Sequence, residues 1–367
     1  MALNIDDEWE NFISCVNDDD DEEADILAAD VAEHTNMISA DILNEICPKA
    51  SEIYISTKTN ISYLNRPIDL KQVFWQIPIM PYAETRHGVV KKQMKFNSLL
   101  PEELDLIQTR LLDEVCVEEN IITSINNPTG RIKFKDIRKV SIGISHKDLM
   151  SYRCKKKSAF YNCFVMILRM KYMGKFKEFH VKVFNTGKLE IPGIQTEESF
   201  LQILDMVIDI LQPYVAEKLE YLPDTTETVL INSNFNCGFY INRESLFDIL
   251  KTKYNIQCIY DPCSYPGIQC KFYYNPKEAT HNGCRLSTLD LKTAVNIVDV
   301  SFMIFRTGSV LIVGKCQEPV LMVIYEFLKK ILLDEFKQVG IKLQDPTLLS
   351  TKNKNKKIRK KTIMMNL

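Results

Sequence analysis

Two segments of the 367-residue chain are copies of one another at low resolution. Phe184–Gly193 (FNTGKLEIPG) precedes a long amphipathic stretch, and Phe305–Gly314 (FRTGSVLIVG) precedes another, 121 positions later. This spacing exceeds the roughly 20–50 residues of a solenoid repeat. It indicates a duplicated half-domain, in which one supersecondary unit is built twice. Such a body is pseudo-twofold and suits a pseudo-twofold ligand.

Hydrophobic periodicity predicts a similar order of elements in the two copies. The first copy contains strands at 160–170, 179–184 and 188–191 and a helix at 196–211; the second contains strands at 229–241, 256–260, 268–274, 298–305 and 310–313 and helices at 243–253 and 319–336. A Thr-Gly turn joins the last two strands of each copy, which is typical of a hairpin. This pattern predicts an α+β fold, with helices on one face of a curved antiparallel sheet and the other face open for a partner.

Upstream of the first copy the pattern is less regular. Residues 73–80 (VFWQIPIM) read as a strand that Pro78 weakens. A helix is predicted over 99–118, since Pro101 and two acidic residues follow Ser98 and apolar residues then recur at helical spacing. Arg131–Ile144 alternates basic and apolar residues, as a strand with one exposed face does.

Charge is distributed unevenly along the chain. Residues 1–48 contain fifteen Asp and Glu and no Lys or Arg, whereas the remainder carries 46 basic and 33 acidic side chains. Seven of the basic residues lie in Thr351–Lys361. We therefore expect an acidic disordered head (1–50), two folded repeats (70–215 and 225–340) and a basic disordered tail (345–367). A mildly basic body is compatible with nucleic-acid binding.

Several classes of protein do not fit the sequence. No run of about 18 apolar residues predicts a membrane span, and the acidic N-terminus is unlike a signal peptide. Eleven scattered cysteines fit free thiols in a reducing compartment. The residues Cys258, Cys263, Cys270, His281 and Cys284 are spaced off the usual zinc patterns, so no metal site is expected. No catalytic constellation or phosphate-binding loop occurs, and we expect neither an enzyme nor a cofactor.

Motifs in both copies resemble those of the TATA-box-binding protein family, in a divergent form like those of large DNA viruses. Tyr260–Lys271 (YDPCSYPGIQCK) is similar to the family's stirrup, the loop Tyr-Glu-Pro-Glu-Leu-Phe-Pro-Gly, and the strand after it. Phe302–Gly314 is similar to its Ile-Phe-x-Ser-Gly-Lys hairpin. Val183–Lys188 repeats that hairpin in the first copy, and Met166–Met170 resembles the strand before it.

The resemblance implies a duplicated saddle whose concave sheet enters the DNA minor groove, with helices on the convex face. Proteins of this family insert apolar wedges between base pairs and kink the duplex. By motif position the wedges are Tyr265 and Phe305 in the second repeat. In the first repeat they are Phe184 and one of Cys163, Phe164 and Phe160, between which the motif does not decide.

The resemblance also implies residues that read bases and contact phosphates. Minor-groove reading falls to Asn232, because short amides suit the adenine N3 and thymine O2 acceptors, and to Gln76, a longer amide that is its nearest equivalent in the first repeat. Val313 is apolar and tolerates A·T pairs, where no guanine amino group intrudes. Phosphate contacts fall to Arg169, Lys188 and Lys271. Taken singly, the aromatic residues could instead be ordinary core residues, Asn232 a turn residue, and the strand cations part of a solvated face.

The sequence thus predicts a general transcription initiation factor that binds and bends A/T-rich promoter DNA. The expected partners are double-stranded A/T-rich DNA, a TFIIB-like factor and the RNA polymerase machinery, with no membrane and no small-molecule substrate. The alternative is a protein-interaction module of the same fold that has lost specific DNA binding. The expected location is intracellular, in a nucleus or a cytoplasmic viral factory.

Overall fold

A computed structural model describes residues 46–150, 162–278, 281–284 and 297–341. The basic tail, nearly all of the acidic head and much of the polar segment 275–296 lie outside these residues. The described chain divides into two compact units. Unit 1 is Thr59–Glu227, and unit 2 comprises the residues up to Lys58 and those from Thr228 onward.

Unit 1 is an antiparallel sheet with helices. Its elements are β1 (Tyr54–Tyr63, of which the part through Lys58 belongs to unit 2), α1 (Leu70–Gln76), β2 (Gly88–Ser98), α2 (Pro101–Leu111), β3 (Val117–Asn126), β4 (Phe134–Gly143), α3 (His146–Met150), β5 (Cys163–Tyr172), β6 (Lys175–Phe184), β7 (Lys188–Ile194) and α4 (Glu197–Leu211). Short 3₁₀ turns follow at Gln212–Tyr214 and Pro223–Thr225. The strand order is β1-β7-β6-β5-β2-β4-β3.

Unit 2 is smaller. Its elements are β8 (Glu227–Asn236), β9 (Tyr240–Ile241), α5 (Arg243–Thr252), β10 (Gln257–Ile259), β11 (Ile268–Tyr274), β12 (Val298–Ile304), β13 (Ser309–Gly314), α6 (Glu318–Asp334), α7 (Phe336–Val339) and β14 (Gly340–Ile341). The main sheet has the order β10-β11-β12-β13-β8, and β14 pairs separately with β9.

The two units share one plan. A strand, a helix, four strands and a final helix follow one another, and β2-β5-β6-β7-β1 repeats the order β10-β11-β12-β13-β8. This confirms the predicted α+β class and the predicted duplication. Unit 1 differs because α2, β3, β4 and α3 are inserted between the counterparts of β10 and β11. The inserted strands extend the sheet beyond β2.

The hairpin glycines occupy equivalent positions in the two units. Gly187 and Gly308 both have φ of 83°, a left-handed conformation that glycine adopts without steric cost. Their carbonyls accept hydrogen bonds from the residues just after the first strand, Leu64 N–H at 2.8 Å and Cys237 N–H at 2.9 Å. A second matched pair joins Ile68 N–H to the Asn185 carbonyl and Ile241 N–H to the Arg306 carbonyl. In each unit the same contacts therefore join the hairpin to the segment between the first strand and the first helix, which we call the first crossover.

The first helix of each unit begins at an equivalent polar cap. The Asp69 carboxylate accepts from Gln72 N–H, and the Asn242 amide oxygen accepts from Ser245 N–H. Each satisfies a backbone donor that the first helical turn leaves unpaired. The prediction of a strand at 73–80 is therefore wrong, because the apolar run after Asp69 buries one face of α1 against the sheet.

Three strands of unit 1 differ from the expectation drawn from the sequence. β1, β2 and β3 were not predicted, and the helix expected over 99–118 ends at Leu111, after which the chain enters β3. β3 lies at the outer end of the unit 1 strand order and exposes residues on both faces, so it lacks the alternation that marks a half-buried strand.

The helices of each unit cover one face of its sheet. In unit 1, Phe74 of α1 meets Phe164 of β5 edge to face, with centroids 6.3 Å apart. In unit 2, Phe235 of β8 meets Tyr325 of α6 at 5.0 Å. Each unit thus has its own core between sheet and helices. No helix in the described ranges is long and apolar enough to cross a membrane.

The Gly187 turn contact can be tested against a hairpin glycine that touches nothing. Gly187→Ala would place a Cβ 2.4 Å from the Arg66 carbonyl oxygen, whereas a Cβ at Gly174, with φ of 80°, meets no atom within 4 Å. Gly174→Ala is expected to cost about 1–2 kcal/mol through backbone conformation alone. Gly187→Ala should cost about 1–3 kcal/mol more, because it also overpacks the crossover. Urea unfolding of both variants measures the difference; equal losses would show that the turn does not press on the crossover.

Candidate nucleic-acid interface

Each sheet has a second face, which points away from the helices and which we call the distal face. Successive side chains of a strand point to opposite faces, so the residues between the core positions define it. In unit 2 the distal face includes Asn232, Asn234 and Asn236 of β8, Ser309, Leu311 and Val313 of β13, and Ser301 and Met303 of β12. These eight side chains are uncharged and form a polar and apolar surface, whereas the ion pair of Lys271 and Asp299 lies on the same face in β11 and β12.

Asn232 sits in the middle of this distal face, opposite Val313 in the register of β8 and β13. Its amide nitrogen donates to the Thr57 hydroxyl at 3.0 Å. Its amide oxygen is buried and has no hydrogen-bond partner among the described residues. One end of the amide is therefore anchored, while the other is held in place with its hydrogen-bonding capacity unused. Since the two ends of an amide are interchangeable by a flip, the free end can present either a donor or an acceptor.

Two predicted wedge residues of unit 2 lie in contact. The rings of Tyr265 and Phe305 meet edge to face with centroids 5.8 Å apart. Gly267 lies against both rings, and a Cβ there would be 3.0 Å from each of them. Phe305 is 3% exposed, and burial raises the pKa of Tyr265. The structure therefore brings this pair together; their insertion into DNA stays a prediction.

The loop that carries Tyr265 is held by its own polar groups. The Asp261 carboxylate accepts from the Cys263 N–H and the Ser264 hydroxyl, and the Asp261 carbonyl accepts from the Tyr265 N–H. The Arg243 guanidinium donates to the carbonyl of Pro266. These bonds fix the loop between β10 and β11 against α5, and they leave its tip, Asp261–Ser264, exposed.

The predicted wedge of unit 1, Phe184, is half-buried at the end of β6. It pairs with Cys163 of β5, and the Lys188 ammonium lies 5.2 Å from its ring centroid. Cys163 is 4% exposed. Phe184 and Cys163 thus occupy the distal face together, as cross-strand partners at one end of β5 and β6.

The candidate wedge Phe164 is on the other face. It is fully buried in the core of unit 1, where its ring packs against Phe74 of α1. The prediction that Phe164 serves as a wedge is wrong, because neighbouring residues of β5 point to opposite faces. Phe160 lies outside the residues that the structure describes.

The prediction for Gln76 is also wrong, since this residue ends α1 on the helix side of unit 1. Leu64 and Cys237 make equivalent hydrogen bonds in the two units and are 173 residues apart. The same spacing makes Thr59 of β1 the counterpart of Asn232. Since this counterpart is a threonine, unit 1 has no side-chain amide at the place where unit 2 has Asn232. Thr59 is also buried. Val313 is on the distal face of unit 2, as predicted from the motif, and its reading role stays a prediction.

The distal face of unit 1 carries an ion-pair network that sequence reasoning missed. Lys182 of β6 and Glu190 of β7 are cross-strand partners, with the ammonium 2.6 Å from a carboxylate oxygen. The other oxygen of Glu190 lies 3.9 Å from the Lys188 ammonium. The signal was present in the chain, because Lys182 and Glu190 are each four residues from Thr186 in the turn. Reading it requires the register of the hairpin.

Arg169 is buried on the same face, and its guanidinium bonds to other groups of the protein. Its guanidinium donates to the carbonyls of Tyr82 and Glu84 at 2.5 and 2.9 Å and to the Glu178 carboxylate at 2.8 Å. It also lies 4.4 Å from the centroid of the Tyr82 ring. These contacts argue against the predicted phosphate contact. They show that Arg169 holds the loop between α1 and β2 over part of the distal face.

Further contacts cover the same part of unit 1. Met80 of the loop packs with Val90 and Ile167. The Lys91 ammonium pairs with the Asp148 carboxylate of α3 at 2.8 Å, and the His146 N–H donates to Glu178. The loop and α3 therefore cover the part of the distal face around Arg169, Val90 and Ile167.

The remaining predicted cation, Lys271 of β11, lies on the distal face of unit 2. Its ammonium is 2.9 Å from the Asp299 carboxylate, and the residue is 9% exposed. This pairing argues against a role centred on phosphate, whereas Lys188 is more exposed and remains a candidate. Among the described residues no group of three His, Cys, Asp or Glu side chains could hold a metal ion.

The placement of Cys163 predicts a reactivity order among the thiols. Burial raises the pKa of Cys163 to about 11, against a partial lowering by Lys182. The folded state favours the neutral thiol over the thiolate. The contribution of the Cys163 thiol to the free energy of unfolding is therefore fully present below about pH 9 and is lost as the pH rises towards 11. At pH 8, iodoacetamide should modify the exposed Cys116 and Cys263 well before Cys163, as followed by peptide mass spectrometry. Equal rates for Cys163 and Cys263 would contradict a buried thiol beside Phe184.

Comparison with known proteins gives the following similarities. No family model matches the chain. A protein of Acanthamoeba polyphaga mimivirus described as TATA-box-binding protein-like is 22% identical over 318 residues, covering 82% of this chain and 82% of that protein. Among solved structures, Methanococcus jannaschii TBP is similar at 15% identity with a TM-score of 0.36, over 77% of this chain and 98% of its own. The similarity in sequence confirms the resemblance to TATA-box-binding proteins, in a divergent form like that of a giant virus.

Proposed function

We propose that this protein is a DNA-binding transcription initiation factor that binds and bends A/T-rich promoter DNA through the minor groove. The observation that carries the proposal is the paired placement of Phe184 and Phe305. Each directly precedes the turn of an equivalent hairpin, and the turn glycine donates its N–H to that phenylalanine's carbonyl at 3.0 and 3.1 Å. A duplicated wedge suits a ligand with its own approximate twofold symmetry, as a duplex has.

The chemistry of the unit 2 distal face supports minor-groove contact. An A·T pair shows only acceptors in that groove, and a G·C pair adds the guanine amino donor. Val313 and Leu311 offer apolar surface that fits where no amino group intrudes, and Asn232 holds one amide end unpaired beside them. Insertion of an aromatic ring offsets part of the unstacking cost, and the bend allows more of the protein to touch the duplex.

Partner recruitment is the second part of the proposal. The exposed tip Asp261–Ser264 is a rigidly held acidic and polar turn, which offers a protein contact that would remain accessible when Phe305 is in DNA. We infer that this loop and the helices bind a TFIIB-like factor and the RNA polymerase machinery. The protein would act without a catalytic step of its own, in a nucleus or a cytoplasmic viral factory.

The alternative function is a protein-interaction module that keeps the fold without specific DNA binding. One observation favours it: in unit 1 the Lys182–Glu190 pair and the loop held by Arg169 occupy much of the distal face. Under this alternative, both phenylalanines stabilise their hairpins and have no effect on DNA shape.

A bending measurement separates the two functions. Fluorescence transfer between the labelled ends of an A/T-rich duplex should rise on binding, and a G/C-rich duplex should bind more weakly at every salt concentration. Phe305→Ala is expected to remove most of the bend and to weaken binding by about 1–3 kcal/mol, comparable to the loss of one stacked aromatic. Phe184→Ala should have an effect of the same sign, since Phe184 occupies the equivalent place before the turn of the first hairpin.

Phe302→Leu is the matched control, because Phe302 neighbours Phe305 in the chain and is buried on the helix face. It should lower the free energy of unfolding while leaving the bend unchanged. Equal, steeply salt-dependent binding of both duplexes without a change in end-to-end distance would mean charge attraction alone and would favour the alternative.

A further inference from the structure

The two distal faces differ in charge at equivalent positions. The offset of 121 that relates the hairpins pairs Lys182 with Met303 and Glu190 with Leu311. It also pairs Lys188 with Ser309. Unit 2 is therefore uncharged where unit 1 carries a carboxylate between two ammonium groups. The two distal faces therefore offer different chemistry to a ligand.

Glu190 is held in one position by its neighbours. The Lys182 ammonium bonds one carboxylate oxygen at 2.6 Å, and the Lys188 ammonium lies 3.9 Å from the other. The side chains of Lys182 and Glu190 are each 19% exposed, so the carboxylate reaches the surface without being free to swing. A carboxylate accepts up to about four hydrogen bonds, which leaves capacity for a donor from outside.

The minor groove offers such a donor in one case only. At A·T and T·A pairs a carboxylate meets adenine N3 and thymine O2, which are acceptors and repel it. At a G·C pair it meets the guanine N2 amino group, which donates. Lys182 and Lys188 neutralise the carboxylate, so its approach to the phosphate-lined groove costs less than that of an isolated charge.

We propose that Glu190 makes the half of the DNA site facing unit 1 selective for a G·C pair, through the guanine amino group. This inference rests on the proposed minor-groove function and names its specificity. The uncharged residues Asn232, Leu311 and Val313 of unit 2 suit A·T pairs, so the two units differ in the base pair that each prefers.

Three duplexes test the inference with the full chain. The first is a uniform A·T tract, the second has one central G·C pair in that tract, and the third has an I·C pair at the same position. Inosine lacks the N2 amino group, so an I·C pair matches A·T in the minor groove. The wild type should bind the G·C duplex about tenfold more tightly than either of the others, in line with the cost of one mismatched base pair.

Glu190→Leu, which copies the Leu311 side of unit 2, should reverse the order and bind the uniform and I·C duplexes best. Glu190→Gln keeps the shape of the side chain, and should lose most of the preference because the charge-assisted acceptor is gone. A urea unfolding curve shows whether Glu190→Leu folds. If it does not, the loss of preference in Glu190→Gln is the result that tests the inference.

Wild-type binding that is weakest on the G·C duplex, or equal on the G·C and I·C duplexes, would overturn the inference. That result leaves the proposed function intact as long as A·T tracts are bent and Phe305→Ala removes the bend. Failure to bend any of the three duplexes would instead count against the proposed function itself, so the two failures are distinguishable.

Discussion

The contact between the hairpin turn and the first crossover is the constraint on which each unit depends. In both units a left-handed glycine places its carbonyl 2.8–2.9 Å from the N–H of a residue just after the first strand. A Cβ at Gly187 or Gly308 would come within 2.4 Å of a crossover carbonyl oxygen. The hairpin, the first strand and the capped helix that follows are thereby fixed together. This explains why the Thr-Gly turn is the most similar feature of two otherwise different halves.

With that frame fixed, the distal faces have diverged. Unit 2 keeps an uncharged surface around Asn232 and Val313, beside the ring pair Tyr265 and Phe305. Unit 1 has filled equivalent space with ion pairs and with a loop anchored by Arg169. The halves therefore share backbone geometry and differ in what they can recognise. Recognition by this protein is accordingly expected to be asymmetric, although its framework is duplicated.

The sequence predicted those elements in which apolar residues recur with the period of the helix or strand and form its buried face, such as α4, α6 and the two hairpins. It failed where tertiary contacts decide: the apolar run after Asp69 forms a helix, and β3 has two exposed faces. For the site, the structure places Phe305 and Tyr265 in contact and Asn232 on the distal face, and their roles toward DNA stay predictions. The motif resemblance misplaced Gln76, because the apolar run that reads as a strand forms helix α1. It misplaced Phe164, because the bounds of β5 decide which of two neighbouring residues faces the core. The Lys182–Glu190 pair depends on the register of the hairpin.

The measurement that tests the central claim most directly is binding to a duplex in which every A·T pair of the tract is replaced by I·C. This exchange alters the major-groove edges of every pair while leaving the minor-groove acceptors as they are. The account predicts the same affinity and the same end-to-end distance for the two duplexes. A large loss of affinity on the I·C duplex would show that the protein reads the major groove, and would contradict a role for the distal faces in minor-groove recognition.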